Sequence, residues 1–569
     1  MSINQTCKQC QKEFSVDNEE LALLDKLSPT VGGQKLDIPV PTHCFSCRAK
    51  RRLGWRNERS LYNRKCDKSG KEIVSVYPPD SEYKVFEQKE WWGDGWDAKD
   101  YGQDFDFTKS FFEQFAELNK KVPKCALLNK NPDNSDYLNR AEDNKDSYMS
   151  FDLGWNEKIF YSRTIYNCNN LIDCTFCRDH CSFSYECLNC NSVVSSSYCI
   201  DSSKLSECHF CFNLHGCQNC IFCANLHNKQ YCIENKQYSK EEFEQKLKEY
   251  DFGSYQKIQE YKTRFANIVK SCVHKYASNL KCENCSGDYL ENCKNIKISF
   301  GVKNSENGRY MFDSERGKDT MDDCFSGGEG AELNYEVLGA GWPYNTKFNN
   351  SSWHCSNVIY INFCQHCKDC FGCSNMKRAQ YCILNKQYSK EEYEKLIPKI
   401  VEHMKKTGEW GEFFPLQMSE FSYNESVANE YFPQSKEEVL QNGWKWKDKV
   451  DNLVPSSGYV IADNINEITN EILEKVLVCE VTKRPYKIQS RELAFYIEQN
   501  IPIPHKHPDQ RHHERLSLRN ALKLHHRQCM CEESDHDHSG RCPVEFETTY
   551  APDRPEKVYC ENCYQKTVI

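Results

Sequence analysis

The chain has no run of eighteen apolar residues, and the stretch from Met1 to Cys7 lacks the apolar centre of an export signal. Neither a membrane-spanning helix nor a secretory leader is therefore expected. Net positive charge is also missing: 74 Lys and Arg stand against 83 Asp and Glu, a formal charge of −9. The overall balance thus gives no pull toward nucleic acid. There is no Walker loop, no Gly-x-Ser-x-Gly elbow and no His-Glu-x-x-His helix, so a non-enzymatic protein is the expectation. What abounds is cysteine, 36 residues in 569. Without an export signal these are expected to stay reduced in a cytoplasmic setting, as metal ligands or buried thiols. A disulfide-rich secreted protein is the alternative. The length allows three or four domains.

The two ends read as copies of one another. Cys7-x2-Cys10, Phe14 and Glu20-Leu21-Ala22 match Cys479, Thr482, Tyr486 and Glu492-Leu493-Ala494. Ile38-Pro-Val-Pro41 matches Ile501-Pro-Ile-Pro504, and Cys44 to Cys66 lies on His507 to Cys529 without a gap. The turn Tyr77-Pro-Pro-Asp80 matches Tyr550-Ala-Pro-Asp553. The copies differ where metal would bind. Cys7, Cys10, Cys44 and Cys47 form a four-thiolate zinc set in the first copy, where the second has Cys479, Thr482, His507 and Gln510. Conversely, Cys529, Cys542, Cys560 and Cys563 form a set in the second copy, where the first has Cys66, Ser69, Glu87 and Glu90. A ten-residue insertion carries Cys531, His536 and His538, which leaves open whether Cys529 or Cys531 is the ligand. Two structural zinc ions are expected, with a third considered at Cys272 (or His274), Cys282, Cys285 and Cys293.

The middle carries a second duplication. Cys217-Gln-Asn-Cys220-Ile-Phe-Cys223 and the following Asn235-Lys-Gln-Tyr-Ser-Lys-Glu-Glu242 recur 150 residues later, as Cys367 to Cys373 and Asn385 to Glu392. Cysteines repeat every nine residues, as in Cys190, Cys199, Cys208 and Cys217. A β-solenoid with a coil of about eighteen residues would stack such a series into inward ladders. Small, weakly polar Cys suits a narrow core, and the intervening Asn, Ser and Asp suit corners. Two solenoid segments are predicted, over 168–238 and about 310–388. Ser239–Glu242 and Ser389–Glu392 read as capping boxes that open helices near 240–265 and 390–407. The run Cys364-x2-Cys367-x2-Cys370-x2-Cys373 invites an iron–sulfur reading but departs from the ferredoxin spacing. Phe111, Phe112, Phe115 and Leu118 form one apolar helix face behind the aromatic stretch Trp91–Phe107, read chiefly as a buried seam.

Residues 48–65 read as a helix with Arg48, Arg52, Arg56 and Arg64 in an i, i+4 row. Residues 511–527 repeat it with Arg511, Arg515, Arg519, Lys523 and Arg527. Five such positions span about 24 Å of helix, a track for phosphates, so RNA or a ribonucleoprotein is the expected partner. The alternative places these arginines against acids of the fold, for instance Asp80 and Asp553 of the duplicated turn. In that case a protein-interaction scaffold is favoured, with thiol-redox or metal handling as a third reading. No membrane or small-molecule partner is expected.

With Cys7-x2-Cys10, Pro41-Thr-His-Cys44 and Cys47-Arg48, the N-terminus resembles the "probable zinc-ribbon" domains of bacterial proteins. With Arg56-Asn57-Glu58, Leu61-Tyr62, Asn235 to Tyr238 and Tyr550-x-Pro-Asp553, the whole chain resembles cysteine-rich zinc-ribbon proteins from candidate-phylum environmental bacterial genomes. The resemblance implies zinc and a bacterial cytosolic setting and brings no activity with it. The expected fold is multidomain α+β, in which duplicated zinc-ribbon or treble-clef-like modules flank a duplicated Cys-rich β-solenoid with capping helices. Its parts are an N-terminal zinc module (1–90), an aromatic-rich helical connector (91–130), two solenoid repeats with capping helices (131–268 and 269–410), a linker or helical segment (411–475) and a C-terminal zinc module (476–569).

Overall fold

The computed structural model describes residues 2–448 and 458–568; the rest of the 411–475 linker lies outside the described residues. Its core is a pair of parallel β-solenoids. In the first, strands step forward twelve residues at a time, as in Asn139↔Phe151, Ser206↔Gln218 and Gln218↔Gln230. The second repeats the step in Lys294↔Glu306, Tyr344↔Ser356 and Lys368↔Gln380. The coil is thus twelve residues, not the eighteen suggested by the nine-residue spacing.

The backbone explains the difference. Along both solenoids every third residue has φ near +50°, for example Asn213 (51°), Asn219 (51°), Phe222 (54°) and Asn225 (58°). Each side is therefore three residues long, and four sides close a coil. Asn and Asp tolerate this left-handed conformation better than other non-glycine residues. In these corners they also bond along the axis: Asn345 donates to Asn357, which donates to Asp369, at 2.9 and 3.1 Å.

The inward position also recurs every third residue. Ile165, Cys168, Leu171, Cys174 and Cys177 are all buried; a one-residue insertion then shifts the series to Cys181, Cys187, Cys190 and Cys199. A residue nine further on lies one coil up and one side back, and the thiol hydrogen bonds follow that path. Cys190 Sγ donates to the carbonyls of Leu188 and Cys199, both at 3.4 Å. Serine does the same: Ser150 Oγ donates to the Tyr148 and Ile159 carbonyls and accepts from Ser162 N. A narrow coil needs small side chains that satisfy the corner carbonyls, which is what Cys and Ser supply. All 36 cysteines are free thiols.

The first solenoid begins at Asn129, close to the repeat boundary drawn at 131 and well before the β segment predicted from 168, and ends in the antiparallel turn Cys232↔Gln237. The second runs from about 280 to the matching turn Cys382↔Gln387. Both capping boxes form, with Glu242 N and Glu392 N donating to Ser239 and Ser389 Oγ at 3.2 Å. Helix Lys390–Thr407 has the predicted extent, whereas the helix near 240–265 is two, Lys240–Leu247 and Tyr255–Ser271. Phe111, Phe115 and Leu118 are fully buried in helix Phe111–Lys121, against Tyr360, Phe371 and Phe414.

The two ends carry elements in the same order. A hairpin (Ile3–Thr6 with Glu13–Val16; Leu477–Val478 with Pro485–Tyr486) leads to a first helix, Asn18–Leu27 or Ser490–Glu498. A second helix follows, Phe45–Leu53 or Pro508–Leu516, and then a second hairpin, Tyr62–Lys65 with Glu72–Ser75 or His525–Gln528 with Glu545–Thr548.

Each end docks on the solenoid nearer the other end. Arg48 Nε donates to Asp322 at 2.8 Å, and Arg52 bonds Glu336 while its Nη2 lies 3.0 Å from Asp322. Arg48 also stacks on Tyr310, whose hydroxyl donates to Glu20 at 2.8 Å. At the other end Arg511 and Arg515 donate to Asp173 at 2.5 and 2.8 Å, Arg511 stacks on Tyr161, and Tyr161 donates to Glu492 at 3.0 Å. The ends meet where Arg59 donates to Asp509 at 3.1 Å.

Removing one partner of a fully buried ion pair leaves the other charge uncompensated, at a cost of about 3–5 kcal/mol. Arg52→Ala should therefore lower the stability measured by urea unfolding by that amount. Lys523→Ala, at an exposed position, should change it by no more than about 0.5 kcal/mol.

Candidate metal centres

The first cluster is assembled by a hairpin turn and a helix start. Cys7 and Cys10 flank the tight turn of hairpin Ile3–Val16, where Gln11 takes φ +59° and its N–H donates to the Cys7 carbonyl at 2.9 Å. Cys44 is the N-cap of helix Phe45–Leu53 and Cys47 lies in its first turn. The four sulfurs lie within 4.8 Å of one another, with Cys10 and Cys44 Sγ 3.7 Å apart. Tetrahedral zinc with bonds of about 2.3 Å holds sulfurs about 3.8 Å apart, so the set needs little adjustment to close on an ion.

The second cluster joins hairpin His525–Thr548 to helix Glu561–Val568. Cys529, Cys542, Cys560 and Cys563 are all buried and lie within 4.8 Å of one another, Cys542 and Cys560 Sγ being 4.0 Å apart. Cys560 N donates to Cys529 Sγ at 3.2 Å. In a third group, Cys531, His536, His538 and again Cys563, the ligand atoms likewise lie within 4.8 Å of one another. Cys529 and Cys531 thus belong to different groups. The two histidines complete the second of these, which sequence reasoning left outside any set although it singled them out in the insertion.

The lobes lacking a full set are built differently. Cys66 Sγ accepts from Ser69 N at 3.5 Å and Glu87 N at 3.2 Å, while Glu87 and Glu90 pair with Lys71 and Lys68. Burial pushes the Cys66 thiol up, but these donors prevail and hold it below its usual range. In the other lobe Cys479 Sγ accepts from Thr482 N, and His507 caps helix Pro508–Leu516 by accepting from Asp509 N at 3.0 Å.

Two alternatives raised by the sequence, a third zinc and an iron–sulfur cluster, find no support. Among the described residues, Cys272, Cys282, Cys285 and Cys293 form no ligand group. Cys272 Sγ sits 3.7 Å from His274 Nε2, whereas Cys285 and Cys293 point into the second solenoid and bond its carbonyls, Cys293 to Glu291 and Val302. Cys364, Cys367, Cys370 and Cys373 are the inward residues of successive sides, each donating to coil carbonyls. Their spacing of three reflects the coil side and not a cluster.

The basic rows are not phosphate tracks. Gly54 closes the first helix and an Asn57 side chain holds the next turn, so Arg64 lies on strand Tyr62–Lys65. The second helix likewise stops at Leu516, leaving Arg527 on strand His525–Gln528. Arg48 and Arg52 are 2% and 0% exposed, and Arg56, Arg511 and Arg515 are buried too. Arg56 bonds Glu58 and covers the Phe325 ring; Arg519 covers Phe176 and faces Asp313 at 3.9 Å. Arg64 and Arg527 reach the duplicated turn, but through the carbonyls of Pro78 and Ala551 rather than Asp80 or Asp553. Asp80 pairs with Lys447 instead. Of the nine proposed nucleic-acid contacts only Lys523 is exposed.

A buried hub joins these surfaces. Arg163 donates to Glu58 at 2.7 Å and Glu430 at 3.0 Å, and His512 Nε2 lies 3.5 Å from Glu430. Burial, and then the nearby Arg59, push the fully enclosed His512 imidazole down to about 3 from 6.5. Unfolding exposes a group that takes up a proton below pH 6.5, so its contribution to stability is complete above 6.5 and declines as pH falls toward 3. Urea midpoints should fall through that window, and His512→Phe should flatten the decline.

No known family model matches the chain, and no curated protein shows significant similarity to it. Among the described residues no helix is long and apolar enough to cross a membrane.

Proposed function

We propose that this is a non-enzymatic interaction scaffold: two cysteine-lined solenoids held in register by duplicated zinc modules. Burial of Arg48, Arg52, Arg511 and Arg515 against the solenoid carboxylates Asp322, Glu336 and Asp173 carries this reading, because the central groups of both rows are occupied in holding the fold. Both thiolate sets at the ends offer four ligands from the protein, the closed arrangement of structural zinc. Thiolate and imidazole donors with tetrahedral spacing favour zinc over harder ions. The family resemblance supports a bacterial cytosolic setting, in which the cysteines would stay reduced.

Solenoid faces remain for a partner. On the second, Trp342, His354 and His366 stack at exposed corners one coil apart, with ring centroids 4.5 and 4.9 Å apart and planes within 10°. A rigid aromatic ladder presents contact area at little entropic cost, as protein-binding hot spots do.

Crosslinking mass spectrometry on the tagged chain in its native cells tests the reading. A protein crosslinked around Trp342–His366, and lost in Trp342→Glu/His354→Glu, supports it. RNA recovered above background by ultraviolet crosslinking, or no ladder-dependent partner, would overturn it. In parallel, Cys10→Ser should lower bound zinc by one ion per chain, measured by elemental analysis.

A further inference from the structure

We propose that the C-terminal module holds two metal ions that share the Cys563 thiolate. Cys529, Cys542, Cys560 and Cys563 surround one; Cys531, His536, His538 and Cys563 surround the other. This rests on the reading of the terminal clusters as metal sites and goes beyond it in number and connectivity.

The ligand count is the first argument. Seven side chains converge in two groups of four with one member in common, which is the number needed for two tetrahedral ions joined by a single bridge. Cys529 and Cys531, alternatives by spacing alone, are both employed, one in each group. Charge favours the pair as well. One divalent ion on four thiolates leaves a net −2, while two ions on five thiolates and two neutral imidazoles leave −1, less to bury in a module whose cysteines are all enclosed.

The histidines are prepared for coordination. His538 Nε2 lies 3.5 Å from Cys563 Sγ, and its Nδ1 faces the Gly540 carbonyl at 2.8 Å. Donation from Nδ1–H to that carbonyl fixes the tautomer and leaves the Nε2 lone pair directed at the shared sulfur, the support that metal-bound histidines commonly have. His536 turns Nδ1 toward Cys531 Sγ at 3.0 Å. With bonds of about 2.3 Å to sulfur and about 2.0 Å to nitrogen, a tetrahedral ion holds its S and N ligands about 3.5 Å apart, so the His538–Cys563 spacing already fits.

The loop itself gives the second, independent argument. Between Cys531 and Cys542 the sequence is Glu-Glu-Ser-Asp-His-Asp-His-Ser-Gly-Arg, without one apolar side chain. Nothing in it can anchor by hydrophobic burial. Apart from the histidines, its side-chain ties to the rest of the module come from Asp537, which pairs with Lys566 at 2.7 Å, and from Arg541 at its end, which donates to the Cys529 and Gln528 carbonyls at 3.0 and 3.3 Å. An ion on His536 and His538 supplies the missing anchor and fastens the loop to helix Glu561–Val568 through Cys563.

The test uses the full chain purified with zinc, then reloaded with cadmium-113. Elemental analysis should give three zinc ions per chain, falling to two in His536→Ala/His538→Ala. Cadmium NMR of the unaltered chain should show three resonances, two of them split by coupling to each other through the bridging sulfur. Two zinc ions, unchanged in the double variant, would overturn the proposal and leave the closed four-thiolate sites standing. Three resonances with no mutual splitting would overturn the shared thiolate. No bound zinc would overturn both this proposal and the metal reading it rests on.

Discussion

The architecture depends on buried guanidinium–carboxylate contacts that join each terminal module to the solenoid nearer the opposite end. A solenoid made of three-residue sides has no inter-coil contact beyond its neighbours, so nothing within either one sets how the two lie together. Asp173 and Asp322, at left-handed corners, each receive two arginines from a helix of an end module. Around them the same aromatic and carboxylate partners recur, Tyr161 with Glu492 and Tyr310 with Glu20. Desolvating these charges is expensive, so the contacts are favourable only with every partner present. That makes them strong determinants of register, and it explains why helices with rows of arginine present so little positive surface.

The cysteines divide into two chemistries by position. Those in the coils are small inward residues that donate to corner carbonyls, interchangeable with serine, and no metal is needed to explain them. At each end four sit on hairpin turns and helix starts, where chain geometry gathers their sulfurs, whereas Cys66 and Cys479 accept backbone N–H groups instead. Burial sets the ionisation of other groups near the docking surfaces too. It pushes the carboxyl of Glu492 up to about 7 even with Arg511 nearby.

Much of this was legible in the sequence. Both four-cysteine sets, both capping boxes and the existence of a duplicated solenoid are visible because each rests on local spacing. The coil length was not, because the nine-residue cysteine period is three sides of a four-sided coil, and Leu, Ile and Ser fill the intervening inward places. The coils before Cys168 fall within the repeat drawn at 131–268 but outside the segment marked by cysteine, because Leu138, Ala141, Leu153 and Ile159 keep the three-residue period without it. The arginine rows misled because i, i+4 spacing says nothing of where a helix ends. Their partners Asp173 and Asp322 lie hundreds of positions away, at corners whose backbone sequence alone does not announce. His536 and His538 could have been assigned from their place, two imidazoles in an otherwise apolar-free insertion beside Cys531.

Hydrogen–deuterium exchange on the full chain, before and after chelation, tests the central claim most directly. If metal-ordered end modules clamp the opposite solenoids, chelation should deprotect helices Phe45–Leu53 and Pro508–Leu516 together with the corners at Asp322 and Asp173, while the cysteine-lined coils stay protected. Unchanged protection at both helices, or loss confined to the cysteine-lined coils, would contradict it.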